Sequence, residues 1–401
     1  MKRLNIIGSL LMGALLLTAC QTDRDDNPRL DLTKGQEPII LNTPAFAGST
    51  YDLDNTESIR FNCTQPAYGF PATVIYVVQL SVDADMTDPV ELSTTYSLND
   101  MEVSGRDIAI ATTKQLMQKK NKKQDEFPVE TPLYVRIRAY INGVEGTEAL
   151  SNIVKLNSVK TKFALPDVEV PNPFYVCGNF TGNDWEKSMA TAAVNGAPTS
   201  QWRIAWIDGD GVKVSPTMSE ADYSADMIET SYVCKAEGFK VSDAGVVTAT
   251  TPGWYVMLID GEVDNEKRTM QLTFSFYKPE LWLIGPSIIN ADAGITSDNC
   301  WNEAELRDNY TEYVKISTPT TMDGEFVSPA LTSTTTDGDG GSRAYVKIKN
   351  YEWWKTEFFI YDKKIVYRGN GGEVRPYTCG GVGQVVRFNF SNDSGDLQTI
   401  N

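Results

Sequence analysis

Aromatic stacking is the chemistry this sequence offers most plainly. Its eight tryptophans, Trp185, Trp202, Trp206, Trp254, Trp282, Trp301, Trp353 and Trp354, all come after residue 173, and none lies before it. A hydrophobic core does not require that asymmetry, whereas a flat ring left at a surface suits the apolar face of a sugar. Trp353 and Trp354 are adjacent, and on one strand neighbouring side chains point to opposite faces, so at most one of them would be core. Just downstream, Tyr367-Arg368-Gly369-Asn370-Gly371-Gly372-Glu373 sets a fork of donors, an amide and a carboxylate around a glycine-rich turn. Sugar hydroxyls ask for such planar donors and acceptors beside a ring, although a decorated hairpin turn would read the same way. Without a Lys-Ser/Thr pair and a helix after it, the turn is not a phosphate loop.

Other chemistries are narrowed by composition. The 401 residues include no histidine, which removes Ser-His-Asp and Cys-His catalysis and histidine-containing metal sites together. A glycosidase would need two carboxylates converging across a cleft, and no such pair stands out. Asp208-Gly209-Asp210-Gly211 and Asp337-Gly338-Asp339-Gly340 lack the rest of a calcium loop and read as turns. We therefore expect no catalytic residue, metal or cofactor. A net charge of −17 disfavours nucleic acid and polyanions and leaves neutral glycans or proteins as partners.

The elements that would carry these residues are strands. Residues 36–160 hold runs at Ser58–Thr64, Thr73–Ser81, Leu133–Tyr140 and Ile153–Leu156, with one short helix around Thr112–Lys120. In Leu133–Tyr140 the residues Leu133, Val135, Ile137 and Ala139 alternate with Tyr134, Arg136, Arg138 and Tyr140, the period of a half-buried strand. Asn142-Gly143 then supplies a tight turn. Together they suggest an immunoglobulin or fibronectin type III sandwich. Residues 161–172, with Pro166 and Pro171, read as an extended linker.

The remainder of the chain looks like one module written twice. Phe174–Gly178 (FYVCG) matches Leu281–Gly285 (LWLIG) about 107 residues later, and each leads into a Gly-, Asn- and Asp-rich loop ending in a tryptophan, Trp185 or Trp301. The copies end in Gly253–Leu258 and Gly383–Phe388, strands expected to pass through turns at Asp260-Gly261 and Ser394-Gly395. A period this long means tandem domains, here β-sandwiches at 173–278 and 279–401. Trp254 and Trp282 sit at in-phase strand positions and are expected in the core; Trp185 and Trp301 are expected as exposed platforms. The fold class is thus all-β, three tandem sandwiches.

At the N-terminus, Lys2 and Arg3 precede an apolar run closed by Leu17–Cys20 (LTAC). This is the grammar of a lipoprotein signal peptide over residues 1–19, with Cys20 acylated to anchor the protein to a membrane; a secreted protein with an incidental Cys20 is the alternative. Residues 20–35 form an acidic tether. Five further cysteines, Cys63, Cys177, Cys234, Cys300 and Cys379, show no metal spacing, and Cys177 with Cys234 or Cys300 with Cys379 are two pairings left open.

The lipobox with its acidic follow-on, the stretch YVRIRAYINGVEG, the repeated YVCG/WLIG start with a downstream tryptophan, and YRGNGGE resemble the SusE/SusF group of outer-membrane starch-binding lipoproteins. The resemblance covers essentially the whole mature chain. It implies one immunoglobulin-like domain and two carbohydrate-binding-module-like domains, displayed at the cell surface on the outer membrane. It further implies non-catalytic capture of starch, maltooligosaccharide or another neutral glycan for an adjacent SusC/SusD-like importer. By position it points to Trp301, Trp353 or Trp354, Arg368, Asn370 and Glu373 in the last module, and to Trp185, Trp206 and Lys213 in the middle one. A structural or adhesin lipoprotein that binds a protein partner is the competing reading.

Overall fold

The computed structural model describes residues 38–68, 72–220, 227–370 and 377–400. Cys20, the signal segment, the tether and Glu373 lie outside them. The chain divides into two compact units, one ending at Pro166 and the other beginning at Asp167. That break falls within residues 161–172. Both units are built on sheets, and no helix among the described residues is long and apolar enough to cross a membrane.

The first unit has a six-stranded sheet. Its strands run in the order Thr50–Asp52, Val154–Thr161, Val129–Ile141, Val74–Ser81 and Val90–Tyr96, with Ala149–Leu150 paired to Val129–Ile141. A second, two-stranded sheet pairs Ser58–Asn62 with Asp100–Ser104. The alternation read from sequence holds: Leu133, Val135, Ile137 and Ala139 are buried, while Tyr134, Arg136, Arg138 and Tyr140 keep partial exposure. Asn142-Gly143 does turn, Val144 N–H donating to the Ile141 carbonyl. The helix is longer than expected, Gly105–Lys120. It starts early because the Ser104 hydroxyl accepts from the Asp107 N–H, satisfying an end donor, and because Gly105 has no Cβ to collide with the Thr56 carbonyl oxygen, 2.0 Å from where one would sit. Ile108, Ala109, Ala111 and Leu116 then join the same core as Ile59, Phe61, Val78 and Leu80.

Among the described residues the second unit holds three sheets. One orders Met189–Ala190, Tyr175–Gly178, Val212–Ser215, Val246–Ala249 and Phe239–Val241. The next orders Ala192–Val194, Ala197–Ile207, Gly253–Asp264, Thr269–Tyr277 and Glu229–Cys234, the last two parallel. An eight-stranded sheet runs Lys315–Ile316, Leu281–Ile284, Arg343–Val346, Glu357–Tyr361, Lys364–Tyr367, Ser394–Thr399, Gln384–Asn389 and Phe326–Val327.

The middle sheet is buried on both faces. Ala205 and Ile207 with Tyr255, Met257 and Ile259 pack with Phe174, Val176 and Val212. Trp202 and Ile204 with Trp254, Val256 and Leu258 join Leu281, Phe326, Phe358, Phe388 and Phe390 of the last sheet in one cluster. Period two sends these alternate residues to opposite sides, so both sides need large apolar groups. Trp254 and Trp282 are buried, as their phase implied.

Two turns differ from expectation. Gly253–Asp264 continues as strand through Asp260-Gly261, and Gly261 is small because a Cβ there would lie 2.5 Å from Val170 Cγ1. The other turn falls two residues earlier, at Asn392-Asp393, where Asp393 adopts φ 51° before Ser394–Thr399 begins. Neither open cysteine pairing forms: Cys63, Cys177, Cys234, Cys300 and Cys379 are all free thiols.

A buried ion pair ties the repeats. Arg203, 1% exposed, donates from Nη1 to both Asp393 oxygens at 2.8 and 2.7 Å and to the Tyr367 hydroxyl at 3.2 Å, and from Nη2 to the Phe390 carbonyl. Burial opposes its charge, yet the Asp393 carboxylate and Tyr367 outweigh that and hold the guanidinium above its ordinary pKa. Burial likewise pushes the Tyr367 phenol up. Arg203 is the fully buried partner while Asp393 keeps a quarter of its side chain exposed, so it is loss of the carboxylate that strands a charge in the core: Asp393→Asn should destabilise by about 3–5 kcal/mol in urea unfolding. The pair Arg203→Met with Asp393→Asn, which removes both charges, should recover most of that loss.

Candidate functional site

Between the strands Arg343–Val346 and Glu357–Tyr361 the chain forms a 3-10 helix, Trp353–Lys355. The strand argument for Trp353 and Trp354 therefore does not apply. Three residues per turn separate successive side chains by about a third of a circle, and both indoles stay half-exposed. Trp353 stacks on Trp301, with centroids 5.6 Å apart and planes 27° from parallel. Trp301 is half-exposed rather than fully open, because it lies against the backbone at Gly285. A Cβ at Gly285 would meet the indole Cη2 at 2.7 Å, and its φ of 95° suits only glycine. The glycine closing each repeat start thus has a packing reason in this copy.

Around the indoles sits a charged cluster. Arg343 donates from Nε to the Gly340 carbonyl and from Nη1 to Glu357 Oε1, each at 2.9 Å. Its guanidinium carbon lies 5.4 Å from the Trp301 ring centroid and 4.2 Å from that of Tyr377. Arg368 Nη1 donates to the other carboxylate oxygen, Glu357 Oε2, at 2.6 Å, and its guanidinium is 6.0 Å from the Trp354 ring centroid. Lys355 is 5.3 Å from the same ring. Cation-over-ring contacts of this kind are worth about 0.5–2 kcal/mol each.

Both Asp-Gly-Asp-Gly turns serve as scaffolding. Asp337 Oδ1 accepts the Tyr377 N–H at 2.8 Å, fixing the backbone of the ring that faces Arg343, and Asp339 accepts the Thr336 N–H. Asp208 Oδ1 accepts from the Asp210 and Gly211 N–H groups. Among the described residues no group of three or more candidate ligands could hold a metal.

The preceding repeat supports the site. Asn195 N–H donates to the Lys355 carbonyl at 3.0 Å, next to Trp354. The turn Arg368–Asn370 is pressed on strand Ala192–Val194, where a Cβ on Gly369 would fall 1.7 Å from the Ala193 carbonyl oxygen. The Asn370 side chain and Glu373 lie outside what is described.

The middle module is less assembled. Trp185 opens a 3-10 helix, Trp185–Lys187, capped by Asp184 accepting from the Glu186 N–H, and is half-exposed. Trp206 packs edge-on to Trp254 at 6.0 Å beside the buried clusters. Lys213 is exposed and paired with Glu220 at 2.5 Å. No ring contact joins Trp185 to Trp206 among the described residues.

Sequence reasoning singled out Trp301, Trp353, Trp354 and Arg368, which the structure gathers, and missed Arg343, Glu357 and Tyr377. Arg343 had a signal. It pairs with Ile284, and Lys213 pairs with Cys177, the matching place in the repeated start, so the two are counterparts. Glu357 and Tyr377 carry no local cue.

Residues 299–396, which bracket this whole cluster, match a family described as SusF/SusE starch specific CBMs. Residues 25–137 match a second, described as SusE outer membrane protein. The chain belongs to the SusE/SusF group. A relative within it is the outer membrane protein SusF of Bacteroides thetaiotaomicron, 29% identical over 257 residues, or 61% of this chain and 47% of that protein. This SusE/SusF chain thus spans about half the length of the curated relative it matches. The crystal structure of SusF from the same organism aligns with 90% of this chain and all of that one at 16% identity and a TM-score of 0.44.

In this SusE/SusF chain the glycine beneath the indole pair is open to test. Gly285→Ala should push Trp301 off Trp353 and cost about 1–3 kcal/mol through the positive φ alone. The check is a lower thermal melt together with loss of the exciton signal of paired indoles in far-ultraviolet circular dichroism. An unchanged exciton signal would refute the packing role given to Gly285.

Proposed function

We propose that this chain is a non-catalytic glycan-binding lipoprotein of the outer membrane, anchored through Cys20 and displayed at the cell surface. There it captures starch or another neutral polysaccharide and hands it to a SusC/SusD-like importer. The observation that carries the reading is the Trp301–Trp353 stack beside Trp354, with Arg343 and Arg368 held among the three indoles. A flat apolar surface edged by fixed donors is what a sugar ring, with one apolar face and a rim of hydroxyls, asks for.

The domain reading that goes with it is an immunoglobulin-like domain at 36–160 and carbohydrate-binding-module-like domains at 173–278 and 279–401. Trp301, Trp353, Trp354, Arg368, Asn370 and Glu373, joined by Arg343, form the stronger site. Trp185, Trp206 and Lys213 form a weaker one, since Lys213 is the counterpart of Arg343 while Trp206 is committed to packing. A single site of this size binds weakly, and two on one anchored body favour polymers over short oligomers.

A polysaccharide panel against the protein lacking residues 1–34 tests the reading. Retention in affinity electrophoresis by at least one neutral glycan, with no release of reducing ends, is the expected result; no hit at all favours the protein-binding alternative. Each stacked ring contributes roughly 1–3 kcal/mol, so Trp354→Ala should weaken retention about 5- to 150-fold. The same variant should leave the melt nearly unchanged, whereas Trp301→Ala should lower both, since that ring packs on Trp353 and Gly285.

A further inference from the structure

Glu357 is shared between the two arginines, one carboxylate oxygen to each, and it is 2% exposed. It opens the strand Glu357–Tyr361 and lies directly opposite Tyr345, which in turn lies opposite Trp282. Both neighbours are buried, so the carboxylate sits in an apolar row across three strands. Such a placement is costly for a charge and persists only because each oxygen receives its own guanidinium. An apolar residue would fill the row without that cost. What it could not do is hold both arginines on one carboxylate and offset one of their two positive charges.

Two guanidiniums beside an aromatic surface form a natural receptor for a carboxylate, because the planar fork of arginine matches carboxylate geometry. Here that position is already taken from inside the protein. We propose that Glu357 sets the selectivity of this site for uncharged sugars, occupying between Arg343 and Arg368 the place a uronate carboxylate would otherwise fill. The inference rests on the glycan-binding function proposed for the site. Glu357 itself touches no sugar; it is a positioning residue that acts through the two arginines.

The test compares maltoheptaose with maltoheptaose oxidised at C6 to the uronate, a pair that differs only at C6, where a neutral hydroxymethyl is replaced by a charged carboxylate. By isothermal titration calorimetry the wild-type chain should bind the neutral sugar at least about tenfold tighter, and should still do so in about 0.3 M salt. That salt screens the acidic surface of the whole protein but leaves a local buried charge largely intact. Glu357→Gln keeps the volume and removes the charge. It should weaken the neutral sugar and move the neutral-to-oxidised affinity ratio at least about tenfold toward the oxidised one, a change that loss of stability alone does not produce.

A ratio unchanged in a folded Glu357→Gln protein overturns the proposal. So does a wild-type preference that vanishes at high salt, which stands as a test even if the variant fails to fold. A wild-type chain that binds neither sugar overturns the glycan-binding reading and this inference together.

Discussion

Burial of the strand Ala197–Ile207 on both of its faces is the constraint that shapes the second unit. One face closes against Phe174, Val176 and Val212, and the other merges with Leu281, Phe326 and Phe358 of the last sheet. Neither repeat therefore completes its packing alone. Arg203 adds direction to what apolar contact leaves unspecified, because its bonds to Asp393, Tyr367 and the Phe390 carbonyl are satisfied in only one arrangement of the two sheets. That arrangement also brings Asn195 to the Lys355 carbonyl and Ala193 beneath Gly369, so the turns carrying Trp354 and Arg368 are set by the same packing. Core and site are linked through one sheet.

Much of the fold was legible because it is written at short range. The alternation of Leu133–Tyr140 needed no partner to be read, and the phase of Trp254 and Trp282 placed them in the core. Errors arose where a residue answers to something distant. Asp260-Gly261 looks like a turn, but that glycine makes room for Val170, far back in the chain. The early helix start depends on Gly105 clearing the Thr56 carbonyl, which no helical pattern announces.

The candidate site divides along the same line. Tryptophan is rare enough that its clustering drew notice, and Arg368 shared a glycine-rich turn with other polar groups. The strand condition considered for Trp353 and Trp354 is not met, since they lie in a 3-10 turn between strands, which has no periodicity to betray it. Glu357 reads as an ordinary acidic residue at a strand start. Its meaning lies in being bonded from fourteen residues before, by Arg343, and eleven residues after, by Arg368.

These constraints bear on how weak contacts become selective. Immobilising a long side chain on binding costs about 0.5–1.5 kcal/mol, which is comparable to what one hydrogen bond to a hydroxyl returns. Arg343 is already fixed by the Gly340 carbonyl, Glu357 and two rings, and Arg368 by Glu357, so that ordering cost falls within folding rather than within binding. In the glycan binding proposed for this site, stacking would supply most of the affinity while the held guanidiniums would supply orientation. Because one small ring surface limits the affinity of a single site, strength would then come from repetition along a polymer, which is the part proposed for the second module.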